Sequence, residues 1–167
     1  WSSDVCSSDL IDNAYKNNNW FYQRLLQNGG KFDIIGLSHY PMKHEWSQLS
    51  WQEMNAAAIK NMALLHNEFN VPVMLAEIGT LGAAGQEETA ARVMSGLLTE
   101  LKKNDWFAGL FYWEPQVFSD WRPEEYIPAG WSAYDMGAFK AIEVRLSGSE
   151  TRTYGTPNAA FCVMAKP

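Results

Sequence analysis

Downstream of Gly30 the chain alternates short apolar runs with longer stretches of helical spacing. FDIIGLS at 32–38 and VPVMLAE at 71–77 are almost wholly apolar, and WFAGLFYW at 106–113 repeats the pattern. Runs of this length, punctuated by Gly, Pro or Asn, predict strands buried on both faces, as in a parallel sheet. Residues 11–15 read as the tail of an earlier strand passing into a loop. Helical spacing begins at Trp20 and stops at Gly29-Gly30, a strong C-terminal signal. Ser50 is placed to cap a helix running to about Phe69, with Met54, Ala58, Leu64 and Leu65 as its inward stripe. Residues 86–104, opened by Glu87 and Glu88, predict another, since acidic groups suit a helix N-terminus.

Beyond Pro115 the pattern weakens. Residues 116–138 read as loop, 141–145 as a short edge strand, 148–157 as polar loop and 158–165 as a last short helix. No repeat or low-complexity linker marks a domain boundary. Four strands, each followed by a helix through short connections, predict parallel pairing by right-handed crossovers. The fold class is therefore α/β, either an open doubly wound sheet or part of a (β/α)8 barrel. No Gly-rich turn follows a strand in the dinucleotide or phosphate pattern, which weighs against nucleotide-binding versions. A whole barrel takes about 250 residues, so a barrel in this chain of 167 is expected to be incomplete.

A formal charge of -6 argues against nucleic acid or an anionic membrane as partner. No apolar stretch approaches the roughly 20 residues of a membrane span. Eight Trp, seven Tyr and eight Phe make 14% of the chain aromatic, which suits either a large core or a cleft lined by flat rings for sugars. Cys6 and Cys162 make no disulfide framework, and no cluster has metal-ligand spacing, so neither metal nor cofactor is expected. Residues 1–10, WSSDVCSSDL, have no hydrophobic period and resemble a translated sequencing adapter. The natural sequence is expected to begin near Ile11, giving one catalytic domain over 11–167 and leaving Cys162 a lone thiol. The lack of a signal-peptide pattern then says nothing about secretion.

Polar and aromatic residues close each strand candidate: Asp12 and Asn13, then Ser38, His39 and Tyr40, then Glu77, then Trp113 and Glu114. Parallel strands bring such ends to one face, where α/β barrels carry their chemistry. Two carboxylates flanking a bond is the arrangement glycoside hydrolysis needs, and spacing alone pairs Glu77 with Glu114. Plainer readings stand beside this one. Glu77 suits a strand-end carboxylate paired with a cation, and Glu114 an acceptor for backbone N–H groups. His39, His44 and His66 are scattered, with His66 expected to be solvated on its helix. Ser38 lacks a base and a nucleophile-elbow context. Trp46, Trp51, Trp121 and Trp131 suit packing as well as a sugar platform.

The stretches IDNAYKNNNWFYQRLLQNGGKFDIIGLSHYP, VPVMLAEIGT, AGLFYWEPQ and YDMGAFK, in that order and spacing, resemble glycoside hydrolase family 53, the endo-β-1,4-galactanases. The likeness runs from Ile11 to about Lys140, with a weaker echo in TPNAAF. It implies the C-terminal half of a (β/α)8 TIM barrel, about strands five to eight. The implied activity is retaining endo-hydrolysis of β-1,4-galactan, the side chains of type I arabinogalactan in pectin. Glu77 would be the nucleophile after the seventh strand and Tyr40 the tyrosine that hydrogen-bonds it. Trp113 would floor the subsite of the cleaved sugar. Asp12 and Asn13 would lie near the cleft, Glu114 beside it without acid/base duty, and Ser38 and His39 with the substrate-binding residues.

On Glu114 spacing and resemblance disagree, and the resemblance is preferred. The acid/base of the family lies in an Asn-Glu motif after the fourth strand, and no such pair precedes the sixth-strand match here. The donor is therefore expected in a missing first half, so this chain alone is expected to be inactive. Ile78 replaces a frequent small hydroxyl residue and His39 an aromatic or apolar one, which leaves fine substrate preference open. Two open sheet edges predict self-association. A polymeric substrate implies that the parent is secreted, periplasmic or at the cell surface. Another barrel β-glycanase and a non-catalytic carbohydrate-binding barrel remain as alternatives.

Overall fold

The computed structural model describes residues 12–41, 49–80, 86–116, 137–146 and 150–164. The expectations placed on residues 1–10, on Ile11, His44 and Trp46, on residues 81–85, and on Trp121 and Trp131 lie outside them. The described residues divide into two compact units, one drawn from Trp1–Ile78 with Gly96–Tyr112 and the other from Gly79–Ser95 with Trp113–Pro167.

The first unit holds a three-stranded parallel sheet, β1 (Ile35–His39), β2 (Val73–Ile78) and β3 (Phe107–Tyr112), with β2 in the middle. Helix α1 (Asp12–Gln27) precedes β1, and α2 (Trp51–Phe69) links β1 to β2. The strand tail expected at residues 11–15 is corrected by α1, which is already helical at Asp12. Asn17, Asn18 and Asn19 are weak helix formers, so propensity alone pointed elsewhere. Tertiary contacts decide it. Asn18 is buried, and one turn on, the Tyr22 hydroxyl donates to the Gly36 carbonyl at 3.2 Å. The Tyr22 ring packs with Phe32 and Phe69 at centroid distances of 5.0 and 5.9 Å. Gly29 ends the helix at φ 81, and its N–H donates to Leu26 while that of Gly30 donates to Leu25.

The expected capped helix is present as α2. Ser50 accepts from the Glu53 N–H at 3.3 Å, and the Glu53 carboxylate accepts from the Ser50 N–H at 2.8 Å, a reciprocal capping box. Asn70 closes the other end in the left-handed region at φ 52. Two details differ from expectation. Leu64 is exposed, because it lies about 100° around the helix from the buried stripe of Met54, Asn61, Met62 and Leu65. His66 is not simply solvated: its Nδ1–H donates to the Val71 carbonyl at 2.9 Å and its ring stacks on Trp106.

Helix α3 (Glu87–Leu101) connects β2 to β3, and its Ala90, Val93, Met94, Leu97 and Leu101 are fully buried at helical spacing. In the second unit β4 (Phe139–Arg145) pairs antiparallel with β5 (Thr151–Pro157), followed by α4 (Ala159–Met164). The polar loop expected at 148–157 is corrected by β5. That strand is exposed on both sides, so it shows no alternation, and its ladder with β4 supplies the order. Asn158 joins the pieces: its Oδ1 accepts from the Phe161 N–H at 3.2 Å and its Nδ2 donates to Gly137 at 2.9 Å.

Candidate functional site

Glu77 lies one residue from the end of β2, and a bulge sets its direction. Leu37 pairs with Leu75, but Ser38 pairs with Glu77, so Ala76 is a surplus residue on β2. The other neighbour shows the same surplus, since Leu75 pairs with Leu110 and Ile78 with Tyr112. Val73, Leu75 and Ile78 are buried at 0%, 1% and 0% exposure. In a regular strand Glu77, not Ile78, would share the face of Val73 and Leu75. The extra residue turns the carboxylate away from that face, the kind of re-aiming that bulges perform.

Two hydroxyls meet the carboxylate there. Ser38 Oγ and Tyr40 Oη each donate to Glu77 Oε2 at 3.0 Å. Residues 38 and 40 share a face of an extended chain, which is why one strand end supplies both donors. No described residue donates to Oε1. Gly36 lies beneath this pair, where a Cβ would stand 3.0 Å from the Ala76 Cβ.

His39, between the two donors, faces the opposite way and is 3% exposed. Its Nε2–H donates to Asn55 Oδ1 of α2 at 2.8 Å. Burial lowers its pKa to about 4, with the Asn55 bond opposing in part, so the ring is neutral. A ring so enclosed is not on the surface offered to a ligand in this structure. Asn55 was not singled out in the sequence, because a polar residue beside Met54 at the border of an apolar stripe is ordinary.

Residues 10–143 match the sequence profile described as Glycosyl hydrolase family 53. The chain belongs to that family. It is similar to the arabinogalactan endo-beta-1,4-galactanase of Cellvibrio japonicus (strain Ueda107), 32% identical over 116 residues that cover 58% of this chain. The alignment covers 29% of that protein, so the chain spans less than a third of its length. Family 53 is a TIM-barrel family, and the parallel order β1-β2-β3 with intervening helices is α/β architecture of that kind.

The remaining family-derived positions lie on other segments of the chain. Asp12 and Asn13 lie in the first turn of α1 rather than in a loop after a strand. Trp113 and Glu114 follow β3 directly and belong to the second unit. Trp113 is 41% exposed. Glu114 is exposed and adopts φ 42, a left-handed conformation uncommon for a residue other than glycine. Of the residues singled out, Ser38, Tyr40 and Glu77 are those that hydrogen bonds bring together.

Proposed function

We propose that this chain carries the nucleophile side of the active centre of a retaining endo-β-1,4-galactanase, with Glu77 as nucleophile. The observation that supports this most is the convergence of the Ser38 and Tyr40 hydroxyls on one oxygen of a strand-end glutamate, in a family 53 chain. With Oε2 held, Oε1 is the oxygen that attacks the anomeric carbon. Attack forms a glycosyl ester on Glu77 and releases the leaving sugar, and water then cleaves the ester, so two inversions retain the configuration.

A sugar alkoxide leaves poorly without a proton, so a second carboxyl group about 5 Å from Glu77 must donate one. In this reading β1, β2 and β3 are the last three strands of the barrel, and the donor comes from the part of the relative that the alignment leaves unmatched. The chain by itself therefore lacks galactanase activity. In the same reading Trp113 stacks a sugar ring, and Glu114, Asp12 and Asn13 are further substrate-binding residues. A polymeric galactan cannot enter a cell, so the enzyme acts outside the cytoplasm.

The test is covalent trapping in an enzyme restored to a full barrel. A 2-deoxy-2-fluoro-galactobioside with a dinitrophenolate leaving group reacts without a proton donor, and mass spectrometry should find the sugar ester on Glu77. Labelling of another carboxylate, or endo-cleavage of galactan that survives Glu77→Ala, would overturn the assignment. The isolated chain is also expected to self-associate. Strands β1 and β3 are outer strands among the described residues, with the Gly36 carbonyl already taken by Tyr22. A sharp monomer peak in size-exclusion chromatography at on the order of tens of micromolar would count against it.

A further inference from the structure

Residues 38–40 do two opposite things. Ser38 and Tyr40 face Glu77, while His39 is driven into the layer between β1 and α2 and bonds Asn55. We propose that His39 and Asn55 are a positioning pair, clamping the end of β1 to α2 so that Ser38 and Tyr40 hold the Glu77 carboxylate in one orientation. The pair's value to catalysis rests on Glu77 being the nucleophile; the clamp itself does not.

Three observations carry this. The bond is made where the strand ends, just before Pro41, where ladder pairing no longer fixes the chain: β1 and β2 pair only as far as His39 and Ile78. Its far end sits on a rigid base, for Asn55 lies in the second turn of α2, directly after the capping box of Ser50 and Glu53. Both members are deeply buried, at 3% and 5% exposure. An apolar pair would fill that space without the cost of burying polar groups, but it would lack direction. A hydrogen bond fixes the rotation of the His39 backbone, and the two flanking side chains on the opposite face follow it. A shift of about 1 Å in groups that orient a reacting atom is enough to slow a reaction by orders of magnitude.

The test is read on the enzyme restored to a full barrel, by NMR with carbon-labelled tyrosine, following the phenolic carbon of Tyr40, assigned through Tyr40→Phe. In His39→Gln the amide nitrogen stands near the place of Nε2, and the Tyr40 resonance should keep its wild-type position. In His39→Asn the shorter side chain falls short of Asn55, and in the double variant His39→Leu with Asn55→Leu the layer is filled without a hydrogen bond. Both should keep the fold by circular dichroism and lose the wild-type Tyr40 signal. If the double variant does not fold, His39→Asn decides. An unmoved Tyr40 resonance in a folded variant without the bond, or a Gln variant that moves as far as the Asn one, would overturn the proposal. The readout needs no turnover, so failure of the clamp is separable from failure of the trapping experiment on Glu77.

Discussion

A neutral histidine sealed between a strand and a helix makes the stability of this unit depend on pH in a calculable way. The ordinary imidazole value is 6.5, and burial brings that of His39 to about 4. Above pH 6.5 the ring is neutral in both folded and unfolded chains, and nothing is lost. Between 6.5 and about 4 the unfolded chain takes up a proton that the folded chain refuses, so stability falls as pH falls. Below about 4 both forms carry the proton and the loss saturates. At about 1.4 kcal/mol per pH unit the whole interval is worth about 3 kcal/mol, and the part from pH 6.5 down to about 5 is worth about 2 kcal/mol. Carboxylates titrate in the same region, so the comparison is with His39→Gln, which cannot titrate but leaves them in place. Urea unfolding of dilute protein, followed by tryptophan fluorescence, gives the free energy for each at about pH 7 and about pH 5. The wild type should lose about 2 kcal/mol more than the variant. Parallel losses in the two proteins would show that the ring is not enclosed as described, and the reasoning would fail.

Other perturbations separate the remaining forces. Leu65→Ala removes a fully buried side chain from the inward face of α2 and should cost about 2–5 kcal/mol in urea unfolding. Ser50→Ala removes half of the capping box and should cost about 1 kcal/mol. The same change should raise the Glu53 pKa back toward the ordinary carboxylate range, since the Ser50 hydroxyl and then its N–H are what lower it; carboxyl NMR titration reads this. Gly36→Val adds atoms where a Cβ already meets Ala76 at 3.0 Å, and should destabilise by about 1–3 kcal/mol while displacing the neighbouring Ser38 and Glu77 in a crystal structure.

What could be read from the sequence follows from where burial writes a pattern. The strand ending near Glu77 and the helix from Ser50 to Phe69 declare themselves, because each buries an apolar face and is punctuated by capping or breaking residues. Strand β5 does not, since it buries neither face and its Thr, Arg and Tyr residues are ordered by pairing alone. The start of α1 was hidden by its asparagines, whose place in the helix is secured by a contact from Tyr22 to a strand 14 residues away. Glu77 and Tyr40 were legible as partners through resemblance, and their bond at 3.0 Å is what the structure adds. The side of the strand taken by His39 was not legible. A histidine among polar strand-end residues looks like part of a cleft, and only the facing Asn55 reveals that it belongs to the layer behind.

The surplus residue in β2 also bears on how this strand tolerates change in length. A point substitution at Ala76 alters one exposed side chain, whereas loss of that residue would restore a strict two-residue period through the end of the strand. Glu77 and Ile78 would keep their sides, because Val73, Leu75 and Ile78 would then fall at every second position with the same partners on β1. The bulge thus absorbs Ala76 without changing the side its acid takes, so a strand one residue shorter could present the same carboxylate beside Ser38.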